Sequence, residues 1–387
     1  MPSTSLAYPD SLRRRQSATR AVFFIAGYGR ASWAPLVPFV KAGIGLGDGQ
    51  LGLLMLCLGG GSITAMPFAG GLVARFGCRR VIAAATLLLA LSLMLLAALA
   101  GPGSLAAAAL ALAVFGMSAG VLDVAMNIEA IDVERAIGQP VMSGFHAFYS
   151  IGGIAGSAGA SVLLTVGLSA GAAVACAAIL MAVALALAVP ALSTAAPPGP
   201  PSLFAVPRGV VWLLSGCTFI VFLAESAVLD WSGVLLTSSR AMPHAYAGYG
   251  YAAFAAAMSC GRLFGDRIVA RLGGARVVTA GSLCAAAGFA IAALVPSWPI
   301  DLAAYALVGA GCANIAPVLF SSVGRQSRMP TGAAVAAMTT IGYAGVFVGP
   351  ALIGAIARVT ALAPAMLSLV ALLAVVAACA APVLRRG

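Results

Sequence analysis

Asp123 and Asn127 stand four residues apart inside an apolar run, so on a helix they share one face. A carboxylate beside a carboxamide can hold a polar solute by hydrogen bonds, and the carboxylate can also exchange a proton. Asp123, Glu129, Asp132 and Glu134 are four of only ten acids in the chain, and His146, close behind them, is one of two histidines. Arg30 and Glu225 also lie inside apolar runs. An ionised side chain is costly in lipid, so each of these must face protein or a wet cavity.

The elements that position these residues are membrane spans. Of 387 residues, 62% are hydrophobic and 8% charged, with a mean hydropathy of +1.07. So few charges cannot cover a soluble domain of this size. A spanning helix takes about 20 apolar residues. Twelve such runs fall at 20–41, 50–72, 80–100, 104–128, 141–166, 169–190, 208–236, 245–265, 276–296, 299–323, 331–356 and 361–383. The fold class expected is an all-α membrane protein. An N-terminal tail, 1–19, precedes the first half, 20–190, and a proline-rich linker, 191–207, separates it from the second half, 208–387. The prolines make that linker an extended strap rather than a domain.

The net charge of +11 does not mark a nucleic-acid protein, because the arginines come in small groups at the ends of apolar runs. Seventeen of the 21 basic residues fall on one face, leaving Arg30, Lys41, Arg240 and Arg358. The positive-inside rule then places both termini in the cytoplasm. Arg13–Arg15 resembles a signal-peptide start, but the many spans behind it favour a retained first helix. The eight cysteines are scattered without CxxC or Cys/His spacing and read as packing residues, with no metal site and no disulfide. No Walker-type GxxxxGK[ST] loop is present, so ATP hydrolysis is not the energy source.

The two halves repeat. Gly120-x-x-Asp123 matches Gly311-x-x-Asn314 at an offset of 191, Ala74-Arg75 matches Asp266-Arg267 at 192, and Ser150-Ile151-Gly152 matches Thr340-Ile341-Gly342 at 190. Agreement on one offset points to a duplicated six-helix half.

The loop Gly71–Arg80, GLVARFGCRR, resembles the signature between the second and third helices of the major facilitator superfamily, with Ala74 where that signature carries an acid. Gly261–Arg267, GRLFGDR, keeps the acid as Asp266. Three further stretches, Gly27–Pro38, Asp123–Gly153 and Ala224–Leu235, are similar to bacterial inner-membrane proteins of the YbjJ type, relatives of the fucose permeases. The resemblance implies a major facilitator fold, with two pseudo-symmetric six-helix halves around a cavity lined by spans one, four, seven and ten. Those spans hold Arg30, Asp123, Asn127, Glu225, Asp230 and Asn314, whereas spans three, six, nine and twelve are almost wholly Ala, Leu, Val and Gly.

Each candidate has two readings. Arg30, about 15 Å along a helix from Arg20, could hold a substrate's carboxylate, phosphate or hydroxyl, or pair permanently with an acid from another span. Glu225 is the first choice for proton coupling, because a dry pocket favours the neutral carboxyl; a fixed pair with Arg30 is the alternative. Asp123 is the second choice for coupling. With His146 it could form an inner gate, though an ordinary interhelical hydrogen bond is the commoner arrangement. Asp230 reads as a solvated cap. Asn314 can bind substrate but carry no proton. Trp33 could stack on a sugar face, while Trp231 reads as an interfacial anchor. Gly152, Gly156 and Gly159, with Gly345, Gly349 and Gly354, read as close helix contacts. Arg75, Arg79, Asp266 and Arg267 are the remaining gating candidates. Glu129, Asp132, Glu134 and Arg135 are expected to form a reversible cytoplasmic latch with Arg75, Arg79 or Arg80.

The function expected is secondary active transport by alternating access in a bacterial inner membrane, as a monomer and without cofactor or enzymatic activity. Proton symport of a sugar or small polar metabolite leads. Proton-antiport efflux of drugs or metabolites is the rival, and a non-transporting membrane sensor is a third reading.

Overall fold

The computed structural model describes residues 9–45, 48–99, 105–194, 206–242 and 248–384. Most of the expected linker, 195–205, lies outside the described residues, as do residues 1–8 of the tail. Among the described residues the chain forms fourteen α-helices. The first seven are α1 (Asp10–Ala31), α2 (Val37–Ile44), α3 (Asp48–Phe76), α4 (Cys78–Ala98), α5 (Leu105–Ile137), α6 (Met142–Thr165) and α7 (Ala170–Ala188). The second seven are α8 (Val210–Val234), α9 (Tyr249–Leu272), α10 (Gly274–Leu294), α11 (Trp298–Cys312), α12 (Ile315–Arg325), α13 (Thr331–Val359) and α14 (Leu362–Leu384).

These helices make twelve membrane spans in two pseudo-symmetric halves. Fourteen helices serve twelve spans because two spans are broken. The first breaks after Ala31, through a 3-10 turn at Ala34–Leu36 whose Pro35 lacks a backbone N–H. The tenth breaks at Ala313–Asn314, and there Pro317 leaves the Ala313 carbonyl without its helical donor. Some helices run past the apolar windows. Helix α1 starts at Asp10, inside the expected tail, and α5 continues to Ile137.

The chain divides into two compact units, Met1–Gln139 with Phe148–Phe204, and Pro140–Ala147 with Ala205–Gly387. The first turns of α6 therefore belong with the second unit and the rest of α6 with the first. Helix neighbours repeat between the units. In the first, α3 and α4 pack on α5, and α7 packs on α1 and α4; in the second, α9 and α10 pack on α11, and α14 packs on α8 and α10.

Glycines let backbones touch at matching places. A Cβ on Gly152 would strike the Phe24 carbonyl of α1, and a Cβ on Gly345 would strike the Phe219 carbonyl of α8. Such contacts replace the hydrophobic drive that lipid removes. Gly159, grouped with them on sequence, has nothing within 4 Å and makes no such contact.

Candidate functional site

The candidates within the spans include one polar group in the first unit, around Arg30 and Asp123, and one in the second, around Glu225, His146 and Asn314. In the first unit, Arg30, Asp123 and Tyr149 line one cavity with Ala26, Leu89, Ala119 and Leu122. Arg30 lies in the last turn of α1, just before the break. A cation is favoured there by the unpaired carbonyls and the negative end of the helix dipole. Asp123 comes from the middle of α5, and the Arg30 charge acts on its carboxylate. Tyr149 comes from α6, held close to α1 because Gly27 leaves no Cβ against the Tyr149 carbonyl. The walls are small or aliphatic side chains, so the polar groups converge on limited space.

The other first-unit candidates point elsewhere. Asn127 is fully buried, and its amide donates to the Asp123 backbone carbonyl at 2.8 Å. Trp33 is 5% exposed and packs against Phe115, 6.4 Å between centroids. Neither lines the cavity with Arg30 and Asp123.

In the second unit, Glu225 of α8 feels the charge of Arg262 on α9, and one Glu225 oxygen is buried without a hydrogen-bond partner among the described residues. Arg262 also acts on His146, whose ring lies 5.6 Å from that of Phe320. Arg262, counted by the charge pattern among the arginines of one face, is drawn into the protein. It is 8% exposed inside α9, and its Nε donates to the Ala313 carbonyl at 3.2 Å, the one Pro317 releases. In return the Asn314 amide donates to the Gly261 carbonyl of α9 at 3.1 Å, while a Cβ on Gly265 would meet the Asn314 oxygen. Asn314, at 6% exposed, thus belongs to a clasp between α9 and the broken tenth span.

The acidic end of α5 is also organised differently from the expected latch. Glu129 is fully buried and receives Arg15 Nε at 2.6 Å, with the Ser193 amide at 3.3 Å. Arg15 also reaches Asp132 at 3.9 Å, and Arg135 reaches Asp132 at 3.8 Å. The partner of Glu129 is therefore Arg15 of α1, in place of Arg75, Arg79 or Arg80. Arg75 lies over the Phe76 ring, and the Arg79 amide donates to the Ser193 carbonyl. Asp266 accepts from the Gly144 amide at 3.0 Å, in the first turn of α6, where an anion suits the helix N-terminus. Arg267 is exposed.

Sequence reasoning did not single out Tyr149 or the burial of Arg262. Nothing distinguishes Tyr149 from other aromatics in apolar runs. Pro317, four residues past Ala313, was a readable sign that a carbonyl needed a donor from outside its helix.

A twelve-span fold in two halves, with charged side chains inside its spans and two of them lining a cavity, defines a multi-pass membrane transporter. No family model matches the chain. It is 48% identical over 372 residues to an uncharacterized MFS-type transporter of Yersinia pestis, covering 96% of each chain. It is 30% identical over 397 residues to the uncharacterized transporter y4wD of Sinorhizobium fredii, covering 97% of this chain and all of that one. The fold is similar to crystal structures of the transporter FucP. The outward conformation aligns with a TM-score of 0.80 at 16% identity, over 96% of this chain and 99% of that one. The E. coli fucose:proton symporter FucP aligns at 0.77 and 17%, over the same shares. The chain belongs to the major facilitator superfamily.

Proposed function

We propose that this transporter carries a small polar metabolite together with a proton across a bacterial inner membrane, with both termini in the cytoplasm. The observation that carries the reading is the cavity lined at once by Arg30, Asp123 and Tyr149. A guanidinium, a carboxylate and a phenol offer a polar solute both donors and acceptors, and the carboxylate gives a proton a place to ride. The fold likeness to a fucose:proton symporter supports the same direction, as do the three stretches similar to YbjJ-type relatives of fucose permeases. In this reading Asp123 carries the coupled proton, because it shares the cavity with the solute. Glu225, the leading candidate on sequence, is the second reading, favoured by its buried unpartnered oxygen.

Protons entering liposomes that hold the purified transporter and a trapped pH dye test this reading. Inward proton movement with a hexose, sugar acid or amino acid supports symport. Outward movement against a lipophilic cation replaces it with efflux.

A further inference from the structure

The C-terminal end of α8 is closed by a buried ion pair that belongs to neither polar group described above. Arg240, one of the four basic residues off the arginine-rich face, follows α8. Its Nε donates to Asp301 in the first turn of α11 at 3.0 Å, and its Nη2 donates to the Ala292 carbonyl of α10 at 2.8 Å. Pro296, four residues past Ala292, has no N–H for that carbonyl, so the donor has to come from another element. The Arg240 and Asp301 side chains are 7% and 0% exposed.

A buried pair of this kind adds little stability, because desolvation offsets the attraction. Here one Asp301 oxygen and the Tyr305 hydroxyl, one turn further on, are also buried with no hydrogen-bond partner among the described residues. What the pair does instead is hold an unfavourable backbone. Leu235–Ser239 is wound as a π-turn, one residue wider than an α-helix. Ala241 then takes a φ of 53°, a left-handed conformation that suits glycine and strains alanine. The Met242 amide closes the turn on the Leu236 carbonyl at 3.0 Å, and both side chains enter the core with Phe289 of α10 and Tyr305 of α11. A wide turn with a strained residue next to its anchoring arginine stores energy against that anchor.

We propose that Arg240 and Asp301 form a releasable catch, which holds residues 235–242 in the strained turn and opens within the folded protein. On release Ala241 leaves the left-handed region and the π-turn rewinds as α-helix, while α10 and α11 stay packed. The end of α8, the helix that carries Glu225, then moves without its neighbours.

Hydrogen exchange, read by mass spectrometry on the intact protein in lipid nanodiscs, tests this. In the wild type, residues 235–242 are expected to exchange as one unit while residues 278–289 of α10 stay protected. Ala241→Gly relieves the closed turn and is expected to slow exchange of that segment ~5-fold or more. Arg240→Leu combined with Asp301→Leu removes the catch without stranding a buried charge. Exchange in 235–242 alone is then expected to rise ~10-fold or more, the scale of lost hydrogen bonds to a charged group. Asp301→Asn keeps an acceptor for Arg240 and is expected to give a smaller rise; it carries the test if the double variant does not fold. Protection of 235–242 equal to that of α10 in the wild type overturns the proposal. So does exchange that neither the paired substitution nor Asp301→Asn alters, because the end of α8 then frays without regard to the pair. Faster exchange in those variants with no slowing in Ala241→Gly keeps the catch and removes stored strain from it.

Discussion

The two units share a helix framework and spend it differently. In the first unit, the position matched by repeat is Asp123, set in a continuous α5 and facing a cavity with Arg30. In the second, the matched position is Asn314, set at a break and bonded to the backbone of α9. The cation beside the first is half-exposed at a helix end; the cation beside the second, Arg262, is buried and tied to the Ala313 carbonyl. The repeated position is thus polar in both units: a carboxyl facing a cavity in one, and in the other a neutral amide at a helix break.

The largest stability effect that sharpens this contrast is at the clasp. Arg262→Ala strips the donor from a buried carbonyl and the counter-charge from Glu225, at an expected cost of about 3–5 kcal/mol. Arg30→Ala, beside a cavity that water can enter, is expected to cost less than half as much. Thermal unfolding of the two variants in one detergent checks this, and equal losses would erase the distinction. A smaller and symmetric effect is expected where the units agree. Gly152→Ala and Gly345→Ala each push a methyl into an opposing carbonyl, at about 1–3 kcal/mol, whereas Gly159→Ala stays within about 0.5 kcal/mol. Unequal costs at Gly152 and Gly345 would break the packing symmetry. The smallest effect is at Asp266, whose carboxylate accepts from the first turn of α6. Asp266→Ala is expected to cost about 1 kcal/mol, read as a small drop in unfolding temperature.

The class of fold was legible because lipid demands long apolar runs, and the halves because a repeat leaves its offset in Gly120/Gly311 and Gly152/Gly342. Arg30 and Asp123 stood out because charge is rare inside the apolar runs, and the structure sets both on one cavity. What composition could not give was the partner of each charge. Arg15 reaches Glu129 across 114 positions, and the charge pattern had nominated the nearer-seeming arginines of the Gly71–Arg80 loop. The burial of Arg262 was not legible because it sits among other arginines of α9, which runs ten residues past it to Leu272. Tyr149 entered the site through the missing Cβ of Gly27, a contact between helices that no spacing within one helix encodes.

The central claim is that the coupled proton rides in the first unit. Asp123→Asn, reconstituted in liposomes with a trapped pH dye and a radiolabelled form of whichever hexose, sugar acid or amino acid moves protons in the wild type, tests it most directly. The account predicts that substrate-driven proton movement disappears while exchange of that substrate between the two sides persists, no longer dependent on pH. Proton movement that survives in Asp123→Asn and vanishes in Glu225→Gln would contradict it and move the coupling to the second unit.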